Sequence, residues 1–401
     1  MAKGKASHIK NVFKKGEAIK RVLYLCSAGE IAGSELSLLR YLQFADPNKY
    51  QHLVVCCQHG KFPDLLKKEN IPFRIIPFVF SLDRLLYPSS IFQNIVSAWK
   101  LVRELNNLSV TFVQVNDTLA LKFLFVPLLL CKKTLWFHLR NYEWKRLWVI
   151  RLLTKKRRYH CIAVSHAIKN HYRDYVGIPD SSISVVHLAG DVPSRKRARQ
   201  KESLRKELHL KRSNQLVGLV ARFDVWKGHL TFLKAIERVV PQYPNVRAVV
   251  VGEMMNPETF PFLVEYKAKV LHYASRPSLK GRVHFLGWRD DILNILKSLG
   301  VLVSASEKEP FGLTVLEAFS SAVPVIGSDS GGTPEIIEHE KNGLLFRTGD
   351  DADLARCLVR LLNDRRLAQR LARAGRKTVE ERFTIQQYVQ NIERLHETLT
   401  T

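Results

Sequence analysis

The chain has 401 residues, 46% of them hydrophobic, and a formal net charge of +26. That length favours two domains over a single core, and the apolar content excludes a mainly disordered chain. Residues 1–190 carry 29 Lys and Arg against 12 Asp and Glu, a net of +17, while residues 191–401 carry 34 against 25, a net of +9. We therefore expect the N-terminal half to face an acidic partner such as nucleic acid, anionic lipid or an acidic glycan, with an ordinary solvated surface as the alternative.

The six cysteines lie mostly in apolar, strand-like runs, and none has the spacing of a metal site or a C-x-x-C motif. This pattern predicts buried, reduced thiols in a cytosolic protein. The basic N-terminus has no apolar core before Arg21, which argues against a signal peptide. The longest apolar run, at 123–131, is far shorter than the roughly 20 residues that span a bilayer. We expect a cytoplasmic protein, either soluble or peripheral on the inner face of the membrane.

Apolar runs alternate with amphipathic segments along the whole chain. The runs predicted to be strands are residues 22–26, 52–57, 110–115, 134–137, 161–164, 216–220, 248–251, 283–286, 301–305 and 323–326. Continuous apolar runs between amphipathic helices indicate parallel sheets covered on both faces, so the predicted fold class is α/β with two doubly wound, Rossmann-like domains. An aperiodic basic stretch at 193–201 marks the boundary. We therefore place an N-terminal domain at 1–192 with a basic tail at 1–20, a C-terminal domain at 193–384, and a final helix at 385–401.

Two candidate site residues follow the sixth predicted strand. Arg222 and Lys227 lie in the segment Ala221-Arg-Phe-Asp-Val-Trp-Lys-Gly228. Ligands of open α/β sheets bind beyond the carboxyl ends of strands, and a guanidinium and an ammonium on one loop can neutralise a diphosphate. Taken alone, the segment also fits a solvent-exposed basic loop.

The segment Glu309-Pro-Phe-Gly-Leu-Thr-Val-Leu-Glu317 places two carboxylates eight positions apart, on either side of a helix start. We expect the N–H groups of Gly312, Leu313 and Thr314 to face an anion, and the carboxylates to accept hydrogen bonds from hydroxyls. A sugar nucleotide has this combination of groups. An exposed pair of glutamates without a ligand is the alternative.

Together with Gly331-Gly-Thr-Pro-Glu335, this segment resembles the E-x7-E signature of the retaining glycosyltransferases of family GT4, which have the two-domain GT-B fold. The resemblance extends over most of residues 20–395 and is most specific in the C-terminal half. It implies two Rossmann-like domains facing a central cleft and a UDP-, GDP- or ADP-linked sugar as donor. It also implies a glycan or lipid-linked acceptor on the N-terminal side and a final helix that crosses back to the first domain.

The resemblance implies roles for residues in the C-terminal half. Glu309 would contact the donor sugar, and Glu317 would hold the ribose hydroxyls. Arg222 and Lys227 would stabilise the departing diphosphate. Trp288 falls where the family contacts the nucleobase and can stack there, although a buried structural tryptophan fits the sequence equally well.

In the N-terminal half, the resemblance singles out Gly33 and His138. Gly33 matches the glycine-rich loop at which the backbone approaches the donor phosphate. His138 matches a histidine beside the donor sugar and acceptor, and a core or surface histidine is the alternative. The loop at 186–191 departs from the family's usual Asn-Gly-Val-Asp because it lacks the Asn, which leaves its interdomain role open.

No metal or cofactor is expected beyond the sugar nucleotide. Asp351-Ala-Asp353 has the form of a D-x-D metal motif, but acidic residues at a helix start explain it better. Residues 143–158 combine Trp144 and Trp148 with clustered Lys and Arg, which predicts an amphipathic helix on an anionic membrane or, equally, a core-packed helix with a basic end. Nucleic acid is not an expected partner, because no recognised binding signature accompanies the basic residues.

The resemblance, read with these residues, thus implies a retaining, metal-independent hexosyltransferase of cell-envelope polysaccharide or lipopolysaccharide biosynthesis. Retention would proceed by front-face attack assisted by the leaving phosphate, as the resemblance implies. Two alternatives stay open: a non-enzymatic binder of anionic polymer or membrane on the same scaffold, and a sugar-nucleotide epimerase or phosphorylase-like enzyme.

Overall fold

The computed structural model describes residues 19–27, 29–31, 33–79, 87–117, 124–142, 159–190, 204–254 and 261–398. The chain divides into two compact units. Unit 1 takes the described residues of Met1–Ala163, Lys169–Val186 and Val389–Thr401, and unit 2 takes those of Val164–Ile168 and His187–Tyr388. The chain therefore passes between the units four times. The residues predicted as the basic helix, 143–158, and as the linker, 193–201, lie outside the described part.

Unit 1 is built on a seven-stranded parallel sheet with the order β3-β2-β1-β4-β5-β6-β7. Its strands are β1 (Lys20–Cys26), β2 (Tyr50–Cys56), β3 (Phe73–Ile75), β4 (Phe112–Val115), β5 (Thr134–Leu139), β6 (Tyr159–Ala163) and β7 (Ile183–Val185). Its helices are α1 (Gly33–Phe44), α2 (Lys61–Lys68), α3 (Pro88–Asn107), α4 (Phe125–Leu130) and α5 (His166–His171), the last of which begins in unit 2. The interior strand β1 is fully buried from Val22 to Cys26, as expected for a strand covered on both faces.

Unit 2 repeats the plan with a six-stranded parallel sheet in the order β10-β9-β8-β11-β12-β13. Its strands are β8 (Gln215–Val220), β9 (Val246–Val251), β10 (Val283–Phe285), β11 (Val301–Ser304), β12 (Val325–Ser328) and β13 (Leu344–Phe346). Its helices are α6 (Leu204–Glu207), α7 (His229–Val239), α8 (Pro261–Ala274), α9 (Ile292–Ser298), α10 (Leu313–Ser320), α11 (Thr333–Ile336), α12 (Asp351–Asn363) and α13 (Arg365–Arg382). The last helix, α14 (Ile385–Thr398), starts in unit 2 and belongs to unit 1 from Val389 onward.

The ten predicted strands are all present, and the α/β class with two parallel sheets is confirmed. The three strands that the sequence did not reveal, β3, β7 and β13, are three residues long and lie at sheet edges. The aspartates of the D-x-D string lie in the first turn of α12, where Asp350 caps the helix by accepting a hydrogen bond from the N–H of Asp353. The helix-start interpretation of that string is confirmed.

All six cysteines are free and buried, which confirms their predicted environment within the fold. Within the described residues, no helix is both long enough and apolar enough to cross a membrane.

Candidate donor-binding site

The loop that carries Lys227 packs closely against the end of β11, because the next residue is a glycine. After β8, residues Val225–Lys227 form a turn of 3-10 helix that Asp224 caps by accepting from the N–H of Val225 at 2.9 Å. Gly228 follows with φ of 71°, and a Cβ there would lie 2.0 Å from the carbonyl oxygen of Ala305. A larger residue would have to push the loop away from β11. Gly228 therefore sets the position of Lys227 at this edge of the sheet.

Lys227 and Glu309 form an ion pair across the carboxyl ends of β8 and β11. The Lys227 Nζ lies 2.8 Å from the Glu309 Oε2, and the two side chains are 15% and 14% exposed. Burial by itself would raise the pKa of Glu309, but the charge and hydrogen bond of Lys227 and a hydrogen bond from Ser306 outweigh it and lower the pKa. The carboxylate is therefore ionised at neutral pH. The structure thus pairs two residues that the sequence assigned to opposite parts of the ligand.

The double glycine of the Gly331-Gly-Thr-Pro-Glu335 motif fixes the backbone of Glu309. The N–H of Gly332 donates to the Glu309 carbonyl oxygen at 2.7 Å. Gly331 has φ of 61°, and a Cβ at this position would lie 2.2 Å from the same oxygen. The turn can therefore pack directly on the Glu309 loop only because both residues lack side chains.

The start of α10 lies next along the chain from Glu309. Gly312 is its N-cap residue with φ of 118° and offers no side-chain cap. The first N–H groups of a helix, here those of Leu313 and Thr314, have no partner within it and form a concentration of positive partial charge. Glu317 is half-buried one turn further into the helix. A nearby anion would therefore meet donors at the helix start and a carboxylate one turn away.

Arg222 and Trp288 are the two exposed candidates. Arg222 follows β8, is 47% exposed, and has its Nη2 3.8 Å from the Asp224 Oδ2. Trp288 follows β10 and is 66% exposed, so the alternative of a buried structural tryptophan is wrong. In the sheet order β10-β9-β8, the two residues follow strands that are roughly 10 Å apart at a spacing of about 4.8 Å per strand. A nucleotide base and its diphosphate can span that separation.

Glu335 is a residue whose role the sequence did not reveal, although the motif that contains it was recognised. Its carboxylate accepts from the backbone N–H groups of His166 and Ala167, each at 2.9 Å, and from the His187 Nε2 at 2.8 Å. Burial would raise the pKa of Glu335, but these three hydrogen bonds outweigh it and lower the pKa. His166 and Ala167 belong to the five-residue excursion of the chain into unit 2, and His187 is the first residue of the next passage. Glu335 therefore holds two separate segments of the chain, 164–168 and the one that begins at His187, in place within unit 2.

Two further contacts join these segments to the Glu309 loop. The Ser165 Oγ donates to the Pro310 carbonyl oxygen at 2.6 Å, and the His187 ring stacks on Phe311 at a centroid distance of 5.3 Å. Residues 187–190 of the atypical 186–191 loop thus pack within unit 2, where the N–H of Gly190 also donates to the Phe383 carbonyl at 2.9 Å. Asp191 lies outside the described residues.

Among the described residues, His166, His187 and Glu335 are also a set that could hold a metal ion, with one ligand atom from each within 4.8 Å of the others. The sequence gave no sign of this set because its members are 21 and 148 residues apart. Both carboxylate oxygens already accept hydrogen bonds from N–H groups. The Glu335 carboxylate therefore has its hydrogen-bond partners without an ion.

In unit 1, His138 lies within β5 and is 1% exposed. Its Nδ1 lies 3.0 Å from the Arg140 Nη2, and burial and then the charge of Arg140 lower the pKa of His138 well below its usual value. Because a guanidinium only donates, the Nδ1 accepts and the proton of the neutral ring sits on the Nε2. The structure thus gives the predicted catalytic histidine a defined tautomer in a buried position.

Arg140 and Asn116 connect His138 to the helix start at Gly33, and neither was singled out from the sequence. Arg140 donates to the Asn116 carbonyl oxygen at 3.2 Å and to its Oδ1 at 3.1 Å. The Asn116 Nδ2 is 3.5 Å from the carbonyl oxygen of Ser34, which follows the exposed Gly33 at the start of α1. All of these residues follow or end parallel strands, which is the signal that could have found them.

Comparisons with known proteins agree with this fold. The family model described as glycosyl transferases group 1 matches residues 200–378, and the model described as glycosyltransferase family 4 matches residues 31–192. The chain belongs to glycosyltransferase family 4. The Anabaena protein HepE, solved in complex with UDP, superposes with a TM-score of 0.78 at 24% identity over 94% of this chain and all of that one, so the GT-B fold is confirmed.

Two curated proteins are similar to this chain over part of its length. N-acetyl-alpha-D-glucosaminyl L-malate synthase of Bacillus anthracis is 30% identical over 58% of each chain. The UDP-Gal:alpha-D-GlcNAc-diphosphoundecaprenol alpha-1,3-galactosyltransferase of Escherichia coli is 28% identical over 64% of this chain and 63% of that protein. The chain thus spans less than two thirds of either relative.

Proposed function

We propose that this family 4 member transfers a sugar, with retention of configuration, from a nucleoside-diphosphate donor to a glycan or lipid-linked acceptor of cell-envelope polysaccharide or lipopolysaccharide. The observation that carries the proposal is the Lys227–Glu309 pair beside the start of α10. It places a cation, a carboxylate and free helix N–H groups at one edge of the unit 2 sheet. The diphosphate, sugar hydroxyl and ribose of a sugar nucleotide need these partners.

In this proposal, the bound donor separates the Lys227–Glu309 ion pair, and each of the two side chains then contacts the donor instead of the other side chain. Lys227 and Arg222 contact the diphosphate, and the N–H groups of Leu313 and Thr314 add hydrogen bonds. Glu309, released from Lys227, accepts from a hydroxyl of the sugar. Glu317 accepts from the ribose, and the exposed Trp288 stacks on the base.

The chemical step follows from these contacts. The bond between the anomeric carbon and the diphosphate breaks while the acceptor oxygen attacks the same face of the sugar. The acceptor proton passes to the leaving phosphate oxygen, whose negative charge Lys227 and Arg222 stabilise. These cations do the work that a metal ion does in other transferases, so we propose a metal-independent reaction. His138 and Gly33 stay as proposed contributors from unit 1.

We further propose that the reaction takes place in the cytoplasm, at the inner face of the membrane when the acceptor is lipid-linked. The six free thiols fit a reducing compartment. The Escherichia coli relative is described as acting on a diphosphoundecaprenol-linked sugar, which supports an acceptor of that class here. A membrane contact through 143–158 remains part of this proposal.

The test begins with a panel of UDP-, GDP- and ADP-sugars in thermal-shift and donor-consumption assays, because a ligand that binds the folded state raises the melting temperature. Two variants then separate the roles. Lys227→Met should weaken binding of the free nucleoside diphosphate about 10- to 100-fold, the effect of losing one hydrogen bond between charged groups. Glu309→Gln should bind the same diphosphate as well as wild type or better, because Lys227 is freed, yet lose transfer.

The matched control is Lys341→Met, because Lys341 forms an ion pair of similar length with Glu338, 3.1 Å, while being 78% exposed. This variant should behave like wild type in both assays. A panel in which no sugar nucleotide is bound or consumed would refute the proposed function. Diphosphate binding that falls equally in Glu309→Gln and Lys227→Met would refute the division of roles.

A further inference from the structure

Helix α3 has two apolar faces, and one of them is uncovered. Asn94 bonds both the N–H and the carbonyl of Val79, and the Ser97 Oγ donates to the Pro77 carbonyl at 2.6 Å. On the same side, Leu101 and Leu105 are fully buried. These contacts fix the rotation of the helix about its axis.

A second side of α3, roughly 125° around the helix axis from the buried side, carries four large apolar side chains, Ile91, Phe92, Ile95 and Trp99, that are 47%, 69%, 62% and 62% exposed. At 100° per residue they fall within a stripe of about 100°. We name these four residues the α3 apolar face. A row of this kind on a soluble surface marks an interaction site, since single exposed apolar residues are ordinary but contiguous ones are not.

Cations border the α3 apolar face. Lys100 and Arg103 are exposed on the same helix, and the Arg103 guanidinium lies 5.5 Å from the centroid of the Trp99 ring. At the C-terminal end of α3, Asn106 accepts from the N–H of Lys132 at 3.0 Å and donates to the Leu130 carbonyl at 3.3 Å. Lys132 and the 55% exposed Leu130 therefore extend both the basic border and the apolar surface.

We propose that the α3 apolar face inserts into the headgroup region of an anionic lipid bilayer. Aromatic and aliphatic side chains enter the interface while the bordering Lys and Arg meet lipid phosphates, as in helices that lie in the membrane plane. Charge decides against a second copy of the chain as the occupant. Residues 1–190 carry a net charge of +17, so two such faces would repel each other, whereas an anionic surface attracts them. The inference deepens the membrane location included in the proposed function by naming a second contact surface, and it does not depend on the transfer reaction.

The test is flotation of the full chain with vesicles of phosphatidylcholine alone or mixed with phosphatidylglycerol. Wild type should float only with the anionic vesicles and lose binding as salt is raised. Replacing Lys100 and Arg103 with Gln should lower the partition coefficient about fivefold per cation. Phe92→Glu should abolish binding, because a charge then enters the apolar part of the interface.

Phe44→Glu is the matched control, since Phe44 is an exposed phenylalanine of unit 1, 56% exposed, on a different helix, α1. It should bind vesicles like wild type. Equal binding by Phe92→Glu and wild type, or no binding by wild type, would overturn the proposal. A wild-type dimer in light scattering that Phe92→Glu converts to a monomer would assign the face to a second copy instead. Thermal shifts with sugar nucleotides should be the same in all variants, which separates this outcome from the proposed function.

Discussion

Replacing Glu335 by Gln tests whether one carboxylate holds two separate chain segments, 164–168 and the one that begins at His187, in place within unit 2. The Oε2 accepts from the N–H of His166 and from the His187 Nε2, and the Oε1 accepts from the N–H of Ala167. Gln keeps the shape but turns one oxygen into an NH₂ group that faces an N–H donor. At least one hydrogen bond is lost, and the remaining bonds are made to an uncharged acceptor.

The magnitude follows from these bonds. A hydrogen bond to a charged group contributes about 1.5–3 kcal/mol, so one lost and two weakened bonds should cost about 2–4 kcal/mol. Glu335 is only 17% exposed on its side chain, so solvent cannot replace the lost partners fully. Urea unfolding should show this loss for unit 2. Hydrogen exchange should localise it, with the amides of His166 and Ala167 exchanging about 10- to 100-fold faster.

Glu338→Gln provides the comparison three residues later. Glu338 accepts from Lys341 and Arg382 but is 47% exposed, so its loss should change the free energy of unfolding by less than about 1 kcal/mol. If Glu335→Gln and Glu338→Gln destabilise the protein equally, or the two amides keep their protection in Glu335→Gln, the role assigned to Glu335 is wrong.

Three further changes have defined outcomes. Gly228→Ala should lower the free energy of unfolding of unit 2, measured in urea, by about 2–4 kcal/mol. Gly177→Ala, at a position with φ of 79° and open space around it, should lower it by only about 1 kcal/mol. Equal effects of the two substitutions would contradict the close contact of Gly228 with the end of β11. Trp288→Ala should weaken nucleotide binding in calorimetry about 5- to 100-fold without lowering the melting temperature, and unchanged affinity would exclude stacking. Burial lowers the pKa of His52 to about 4 and that of His396 to about 3, whereas an unfolded histidine titrates near 6.5. Their contribution to the free energy of unfolding is therefore full above about pH 6.5 and declines as the pH falls toward 4, by up to about 3 kcal/mol for His52. A free energy of unfolding in urea that stays constant across that range would contradict the effect of burial.

The sequence revealed the centre of each sheet better than its edges. Strands such as β1 and β8 are covered on both faces and therefore appear as continuous apolar runs. The edge strands β3, β7 and β13 have three residues each, too few to show a period, although β10, an edge strand of the same length, was predicted from residues 283–286. Their pairing depends on neighbours that are distant in the chain, which no local pattern records.

The candidate site shows the same limit. The sequence could place Lys227 and Glu309 after strands, and the sheet order explains why they meet. It could not show that they neutralise each other, because an ion pair over 82 residues depends on the close approach at Gly228. The role of Glu335 was hidden for a related reason, since its partners are backbone N–H groups and carry no residue signature.

Because Glu335 binds two separate chain segments, it also determines where this protein can be cut into fragments. A fragment that starts at the linker, residue 193, would contain Glu335 but neither His166, Ala167 nor His187. It would also lack Ser165, which bonds the backbone of the Glu309 loop. The unit that carries the donor-site candidates is thus discontinuous in sequence. Its smallest intact form includes residues that a division at the linker assigns to the other half.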